Sequence, residues 1–261
     1  MKIDLVKPPA KLLKLSGLLK KAKYRRQEQL SIAEGDKLIG EALAAGIPLH
    51  SAFFTKNAVD EHNHLLSKLQ TTGIKVYHLS PSEMERMSPL KSPPGCLAIY
   101  RTDFAPIAKG GDLALGLYGI SDPGNLGAIL RSADWFGVSK VYLSESCAEL
   151  HNPTAVRGSM GAVFRLSVET GVNLIDRIPE LKKEGWRIIT SITRGGECPR
   201  NIPGKKLLVM CDEQGRLPEE IDTLTDARFT IPRFGGGESL NVGAACGIIL
   251  YALNKITEKS R

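Results

Sequence analysis

Ile231-Pro232-Arg233-Phe234, followed after three glycines by Glu238-Ser239-Leu240-Asn241-Val242-Gly243-Ala244-Ala245, is the stretch that decides the fold. The apolar run from Phe229 to Pro232 has the length of a strand end, and Ile248, Ile249, Leu250 and Leu253 continue beyond Ala245 at helical spacing. A polar Glu-Ser-Leu-Asn cluster therefore joins a strand to a helix, and such turns carry function more often than the elements they connect. Ser239 and Asn241 are also good helix caps, because their short side-chain oxygens accept from the free N–H groups of a first turn. Far upstream, Ser121-Asp122-Pro123-Gly124-Asn125-Leu126-Gly127-Ala128-Ile129-Leu130-Arg131-Ser132-Ala133-Asp134 repeats the strand, polar turn and helix organisation.

Between and around these turns the second half alternates. Strands are read at Leu113 to Ile120, Lys140 to Leu143, Val163 to Val168, Arg187 to Ile192, Leu207 to Cys211 and Arg228 to Ile231. Helices are read at Leu126 to Phe136, Pro153 to Met160, Asn173 to Lys183 and Asn241 to Asn254. That alternation predicts an α/β fold whose mostly parallel sheet is covered on both faces. The first half also alternates, over about Gln27 to Arg101, and predicts a smaller α/β domain. A loosely constrained segment with Pro106, Gly110 and Gly111 separates the two. The expected organisation is a basic arm or helix at 1–26, a small domain at 27–101, a linker at 102–111 and a large domain at 112–261.

Charge is unevenly distributed. The chain of 261 residues carries a net +7, yet residues 1–26 alone hold nine basic residues against Asp4, a balance of +8 that leaves the remainder at −1. Leucines at 12, 15 and 19 recur at helical spacing within that segment, predicting one amphipathic basic helix over Pro9 to Tyr24. Concentrated lysine and arginine suit a polyanion, since each phosphate contact releases condensed counterions. Lys20, Lys21, Lys23, Arg25 and Arg26 are the candidates, with Arg157 and Arg165 beside Gly158-Ser159-Met160-Gly161; a solvated surface helix and a structural loop are the plain alternatives.

Other classes are argued against. Neither G-x-G-x-x-G after a strand nor a phosphate-binding G-x-x-x-x-G-K-[ST] occurs. The five cysteines are dispersed, with no paired metal-ligand spacing, which argues against zinc and for a reducing compartment. No apolar run has the length of a membrane span, and the first residues lack a secretory signal, so a cytoplasmic protein is expected.

Three ordered blocks resemble the SpoU (TrmH) family of RNA ribose 2'-O-methyltransferases. They are Asp122 to Ala133, then Leu208-Val209-Met210-Cys211-Asp212-Glu213, then Ile231-Pro232 with Ser239-Leu240-Asn241-Val242. The resemblance runs from about Leu113 to Ala252. It implies a trefoil-knotted methyltransferase domain preceded by a small RNA-binding domain, a homodimer, S-adenosylmethionine as cofactor, and structured RNA, ribosomal in preference to transfer RNA, as partner. It places the catalytic set on Asn125, Arg131, Glu213, Ser239 and Asn241, and the cofactor contacts on Cys211, Ile231 and Leu240 flanked by Met210 and Pro232. Arg131 would face the ribose and Asn125 orient it. A guanidinium stays protonated, so Arg131 is read as a phosphate clamp whose field acidifies the hydroxyl, with Glu213 or water taking the proton. One departure stands out: the family's Gly-x-Glu-Gly-x-Gly is here Cys211-Asp212-Glu213-Gln214-Gly215-Arg216. An RNA-binding protein with an impaired cofactor pocket is therefore the rival reading, and methylation of a base or a transfer RNA the weaker ones.

Overall fold

The computed structural model describes residues 5–106, 110–211 and 217–254. Among these, the chain up to Phe104 joins His151–Phe164 in one compact unit, while Ala105–Leu150 and the chain from Arg165 onward form a second.

The first unit begins with α1 (Ala10–Leu18) and α2 (Ala22–Glu28), then β1 (Leu30–Glu34), α3 (Asp36–Ala44), β2 (Leu49–Thr55), α4 (Lys56–Glu61), α5 (Asn63–Thr71), β3 (Val76–Leu79), α6 (Pro81–Met87) and β4 (Cys96–Arg101). Its sheet has the order β1-β4-β2-β3, antiparallel except for the parallel β2–β3 pair. Side chains alternate across a strand, so Phe53 faces one core with Leu19, Ile32, Met84 and Leu97, while Ala52 and Phe54 face another with Ile39, Leu66 and Leu69.

The single basic helix expected over Pro9 to Tyr24 is two helices, broken at Leu19-Lys20-Lys21. Leu12, Leu13 and Leu15 pack onto the first core and Leu19 is buried in it, so the segment is a wall of the unit instead of a separate arm. The break is held by Arg25, whose Nη1 donates to the Leu19 carbonyl at 2.7 Å.

The second half supplies β5 (Leu113–Tyr118), α7 (Pro123–Trp135), β6 (Lys140–Leu143), α8 (Pro153–Gly158), β7 (Val168–Thr170), α9 (Leu174–Lys183), β8 (Arg187–Ser191), β9 (Lys206–Cys211), α10 (Glu219–Thr223), β10 (Ala227–Phe229) and α11 (Val242–Leu253). Of these α8 belongs to the first unit and packs on β1. Ser31 Oγ donates to the His151 carbonyl at 2.6 Å, the Tyr100 hydroxyl and His151 Nδ1 share a hydrogen bond of 3.1 Å, and Tyr100 meets Phe164 edge-on at 5.2 Å between centroids. The strand expected over Val163 to Val168 is corrected accordingly. Met160 and Gly161 turn the chain at positive φ, Ala162–Phe164 form a 3-10 turn buried against Tyr100, and the strand starts only at Val168.

The second unit's six strands run β10-β8-β9-β5-β6-β7, every recorded pairing parallel. A parallel sheet is buried on both faces because its crossovers cover them. Ala114, Tyr142, Ile188, Leu207 and Val209 form one face with Leu174, Ile178 and Leu181 of α9 and Ile221 of α10. By alternation Leu115, Leu117, Ile189 and Leu208, all buried, point the other way. There α11 meets β9 and packs along α7.

Candidate active site at the carboxyl edge of the parallel sheet

Asp122 caps α7. Its Oδ1 accepts from the Asn125 N–H at 2.7 Å, and Pro123 takes the first helical position, where a missing N–H costs nothing. The cap is therefore Asp122, and the Asn125 side chain is left to other partners. At the other turn Asn241 does cap: its Oδ1 accepts from the N–H groups of Gly243 at 2.9 Å and Ala244 at 3.3 Å. Its Nδ2 then donates to Asn125 Oδ1 at 2.7 Å, joining residues 116 positions apart.

The helices must come close for that bond to form. A Cβ built on Gly243 would lie 3.0 Å from the Ala128 Cβ and 3.1 Å from Asn241 Oδ1, so a side chain there would press on both by a few tenths of an ångström, and glycine serves the approach without a special φ. At the far end Asn254 Nδ2 donates to the Phe136 carbonyl at 2.6 Å, and Phe136 meets Tyr251 edge-on. The two helices are thus tied at both ends.

This pair lies on turns that follow the sheet's carboxyl edge. Tyr118 and Cys211 are partners in register at the ends of β5 and β9. From β5 the chain proceeds outward to β6 and β7, whereas β8, β9 and β10 lie on its other side. Such a reversal of strand order opens a crevice where α/β sheets bind ligands. Of the residues assigned to the cofactor, Met210 is buried, Cys211 and Ile231 are half-buried, and Pro232 and Leu240 are exposed. Leu240 leaves 48% of its surface open, a large aliphatic side chain without cover at that edge.

The residues that the family resemblance marks as catalytic are brought together in part. Asn125 and Asn241 touch; Ser239 is exposed two residues before the α11 cap. Arg131 is exposed, six residues along α7 from Asn125, which is about 9 Å of helix axis. Glu213 and its altered loop lie outside the described residues.

The basic candidates divide. Lys20, Lys21, Lys23, Arg26 and Arg157 are exposed. Arg25 is 3% exposed and its guanidinium holds the α1–α2 break, so its reading as an RNA contact is corrected. Arg165 is half-buried and gives Nε and Nη2 to one oxygen of Asp134 at 3.0 and 2.7 Å. Lys20 and Arg157 also act on Glu34. Burial pushes that carboxyl above its ordinary range, and the Ser88 hydrogen bond and these two positive charges pull it back.

Phe234 went unassigned by sequence. It is 98% exposed, beside a guanidinium, Arg233, that donates to the Gly237 carbonyl at 3.0 Å. The signal was the glycine run after it, which removes the neighbours that could bury a ring. The exposed large residues Trp135, Ile248 and Tyr251 lie on α7 and α11.

Comparison with known proteins matches this arrangement. The SpoU rRNA methylase family matches residues 112–251, and an MRM3-like substrate binding domain matches residues 11–98. The chain is 28% identical over 233 residues to the 23S rRNA (guanosine(2553)-2'-O)-methyltransferase RlmP of Bacillus subtilis, covering 88% of this chain and 91% of that protein. A putative RNA methyltransferase of the TrmH family from Porphyromonas gingivalis superposes with a TM-score of 0.78 at 29% identity, over 95% of this chain and 98% of that one. The AdoMet-bound rRNA methyltransferase of Sinorhizobium meliloti, at 24% identity, shares the fold with a TM-score of 0.81 over 96% and 97% of the two chains. With a match across more than half its length and the paired asparagines at the sheet's carboxyl edge, the chain belongs to the SpoU rRNA methylase family.

Proposed function

We propose that this protein transfers a methyl group from S-adenosylmethionine to a ribose 2'-hydroxyl of structured RNA, with ribosomal RNA the favoured substrate. The observation that carries the reading is the Asn125–Asn241 bond in a chain of this family, because it joins two distant motif residues into one polar surface. Its position beside the crevice between β5 and β9 suits a ligand with an apolar body, for which Met210, Ile231 and Leu240 offer aliphatic surface. Held by Met210, Cys211, Ile231, Pro232 and Leu240, S-adenosylmethionine would supply an electrophilic methyl on a sulfonium for transfer to the ribose oxygen, with S-adenosylhomocysteine as the product.

The chain's own residues have little covalent work and mostly position the oxygen. Asn241 Nδ2 fixes the Asn125 amide, whose own N–H groups remain to hold the ribose. Arg131, always charged, clamps a neighbouring phosphate and favours the ionised hydroxyl, whose proton passes to Glu213 or to water. Lys20, Lys21, Lys23, Arg26 and Arg157 are assigned to RNA phosphates. The family's trefoil knot, in the chain around α11, and a cytoplasmic location belong to the same reading.

A homodimer completes it. Trp135 is 84% and Tyr251 61% exposed, and both lie on the paired helices together with exposed Ile248. A second copy would cover these exposed apolar side chains.

The test uses methyl-tritiated S-adenosylmethionine with deproteinised ribosomal RNA. Label that survives alkaline hydrolysis in dinucleotides marks a 2'-O-methyl group, because that ribose can no longer cleave its own phosphodiester. Label in mononucleotides would mean base methylation. Folded protein that binds neither S-adenosylmethionine nor S-adenosylhomocysteine by calorimetry, with or without RNA, would leave the binding-protein reading.

A further inference from the structure

We infer that Phe234 is a stacking platform on which a base of the RNA rests, next to the ribose being methylated. The inference rests on the RNA reading above.

Among the described residues the large aromatic side chains left exposed are Trp135, Phe234 and Tyr251. Trp135 and Tyr251 sit on α7 and α11, whereas Phe234 sits in the loop from β10 to α11 with almost its whole surface in water. Nothing in the fold asks for an aromatic ring there. The Arg233 guanidinium closes the loop onto the Gly237 carbonyl, so Phe234 stands within a short closed turn.

The three glycines after it are equally unexplained by the chain alone. Gly235, Gly236 and Gly237 have no positive φ, and a Cβ on any of them would meet nothing within 4 Å. Glycines that neither turn geometry nor internal packing demands are found where another molecule approaches the backbone. The same loop begins at Ile231 and Pro232 and ends at Ser239, Leu240 and Asn241, so the ring is carried on the segment that also supplies one member of the Asn125–Asn241 pair.

A nucleobase fits this loop. It has a neutral π face that any aromatic ring can stack on, and unpaired RNA bases are recognised in this way. The loop's own charges, Arg233 and Glu238, cancel, which suits a base better than a phosphate.

The experiment measures binding of the full-length protein to a fluorescein-labelled ten-nucleotide oligoadenylate RNA, by anisotropy over a range of salt. Phe234→Ala should weaken binding about 5- to 100-fold, the range for loss of one stacked base. Its salt slope should match that of the unaltered protein, because no phosphate contact is removed. Phe234→Leu should stay weak, and Phe234→Trp should restore binding, with its indole fluorescence quenched by the RNA. A ring that merely filled space would be replaced well by leucine. Full affinity in Phe234→Leu or Phe234→Ala would overturn the inference. So would intact RNA binding with weakened S-adenosylhomocysteine binding, which would give the ring to the cofactor, or conversion of a dimer to a monomer in light scattering, which would give it to a second copy. Failure of the unaltered protein to bind either this RNA or ribosomal RNA would instead sink the RNA reading, and this inference with it.

Discussion

Replacing Asn241 separates two roles that its geometry combines. Its Oδ1 caps α11 by accepting from Gly243 and Ala244, and its Nδ2 reaches Asn125 on α7. Loss of a cap costs about 1 kcal/mol, and a solvent-accessible amide hydrogen bond contributes about 0.5–1 kcal/mol. Asn241→Ala loses both, so we predict destabilisation of about 2 kcal/mol, a fall in Tm of roughly 4–8 °C for a unit of this size. Serine also caps but is too short to reach Asn125. Asn241→Ser should therefore cost only about 0.5–1 kcal/mol and leave the helix intact while abolishing methyl transfer. Asn125→Ala should cost the same amount, and combining it with Asn241→Ser should add almost nothing, because both remove one bond. Calorimetric unfolding of the four variants provides the values. Equal destabilisation by serine and alanine at 241 would refute the cap, and additive costs in the double variant would refute the inter-helix bond.

Three further outcomes follow from the packing. His151 is held down to about 4 by burial and by the nearby charge of Arg25, against an ordinary 6.5. The folded chain then binds fewer protons than the unfolded one between those values, so the contribution is present above pH 6.5 and is lost on acidification, by about 1.4 kcal/mol per pH unit. Urea titrations at a series of pH values should show His151→Phe flattening that limb; an unchanged slope would contradict the burial. Arg25→Met should cost about 2–3 kcal/mol by stranding the Leu19 carbonyl, whereas Arg26→Ala should leave Tm unchanged and lower the RNA salt slope by about 0.7–0.9, the reverse pattern counting against the division of the basic residues. In Gly196→Ala the new Cβ would lie 2.7 Å from the Arg228 carbonyl oxygen and 2.9 Å from the Phe229 carbonyl carbon, backbone atoms that cannot rotate away. About 1–3 kcal/mol of destabilisation is expected, with faster hydrogen exchange at the Glu197 and Thr230 amides; normal protection there would show that the edge can yield.

Much of the fold is legible because it is written in local pattern. Alternating apolar runs place β5, β6, β8, β9 and β10 within a few residues of their ends, since a strand buried on both faces has to be apolar throughout. Where a local pattern misleads, a distant partner is responsible. The leucines of residues 12–19 have helical spacing, but the helix breaks at residues 19–21, where Leu19 is buried in a core with Phe53, Met84 and Leu97. The run Val163 to Val168, apolar at Val163, Phe164, Leu166 and Val168, suits a strand until Tyr100, more than sixty residues earlier, packs on Phe164. The candidate site divides in the same way: residue types at 125, 131, 239 and 241 are visible in the chain, while the exposure of Phe234 and the burial of Arg25 are not.

The sequence by itself determined the α/β alternation, the family and the residue types of the site, because periodicity, turn chemistry and ordered motifs act over a few residues at a time. Only the tertiary structure decided that Asn125 and Asn241 share a hydrogen bond, that residues 151–164 pack with the first unit, and that one arginine of a basic run is buried while its neighbour is exposed. Those outcomes depend on which surfaces meet when the sheets close, and a contact between residues 116 positions apart leaves no local trace in either segment.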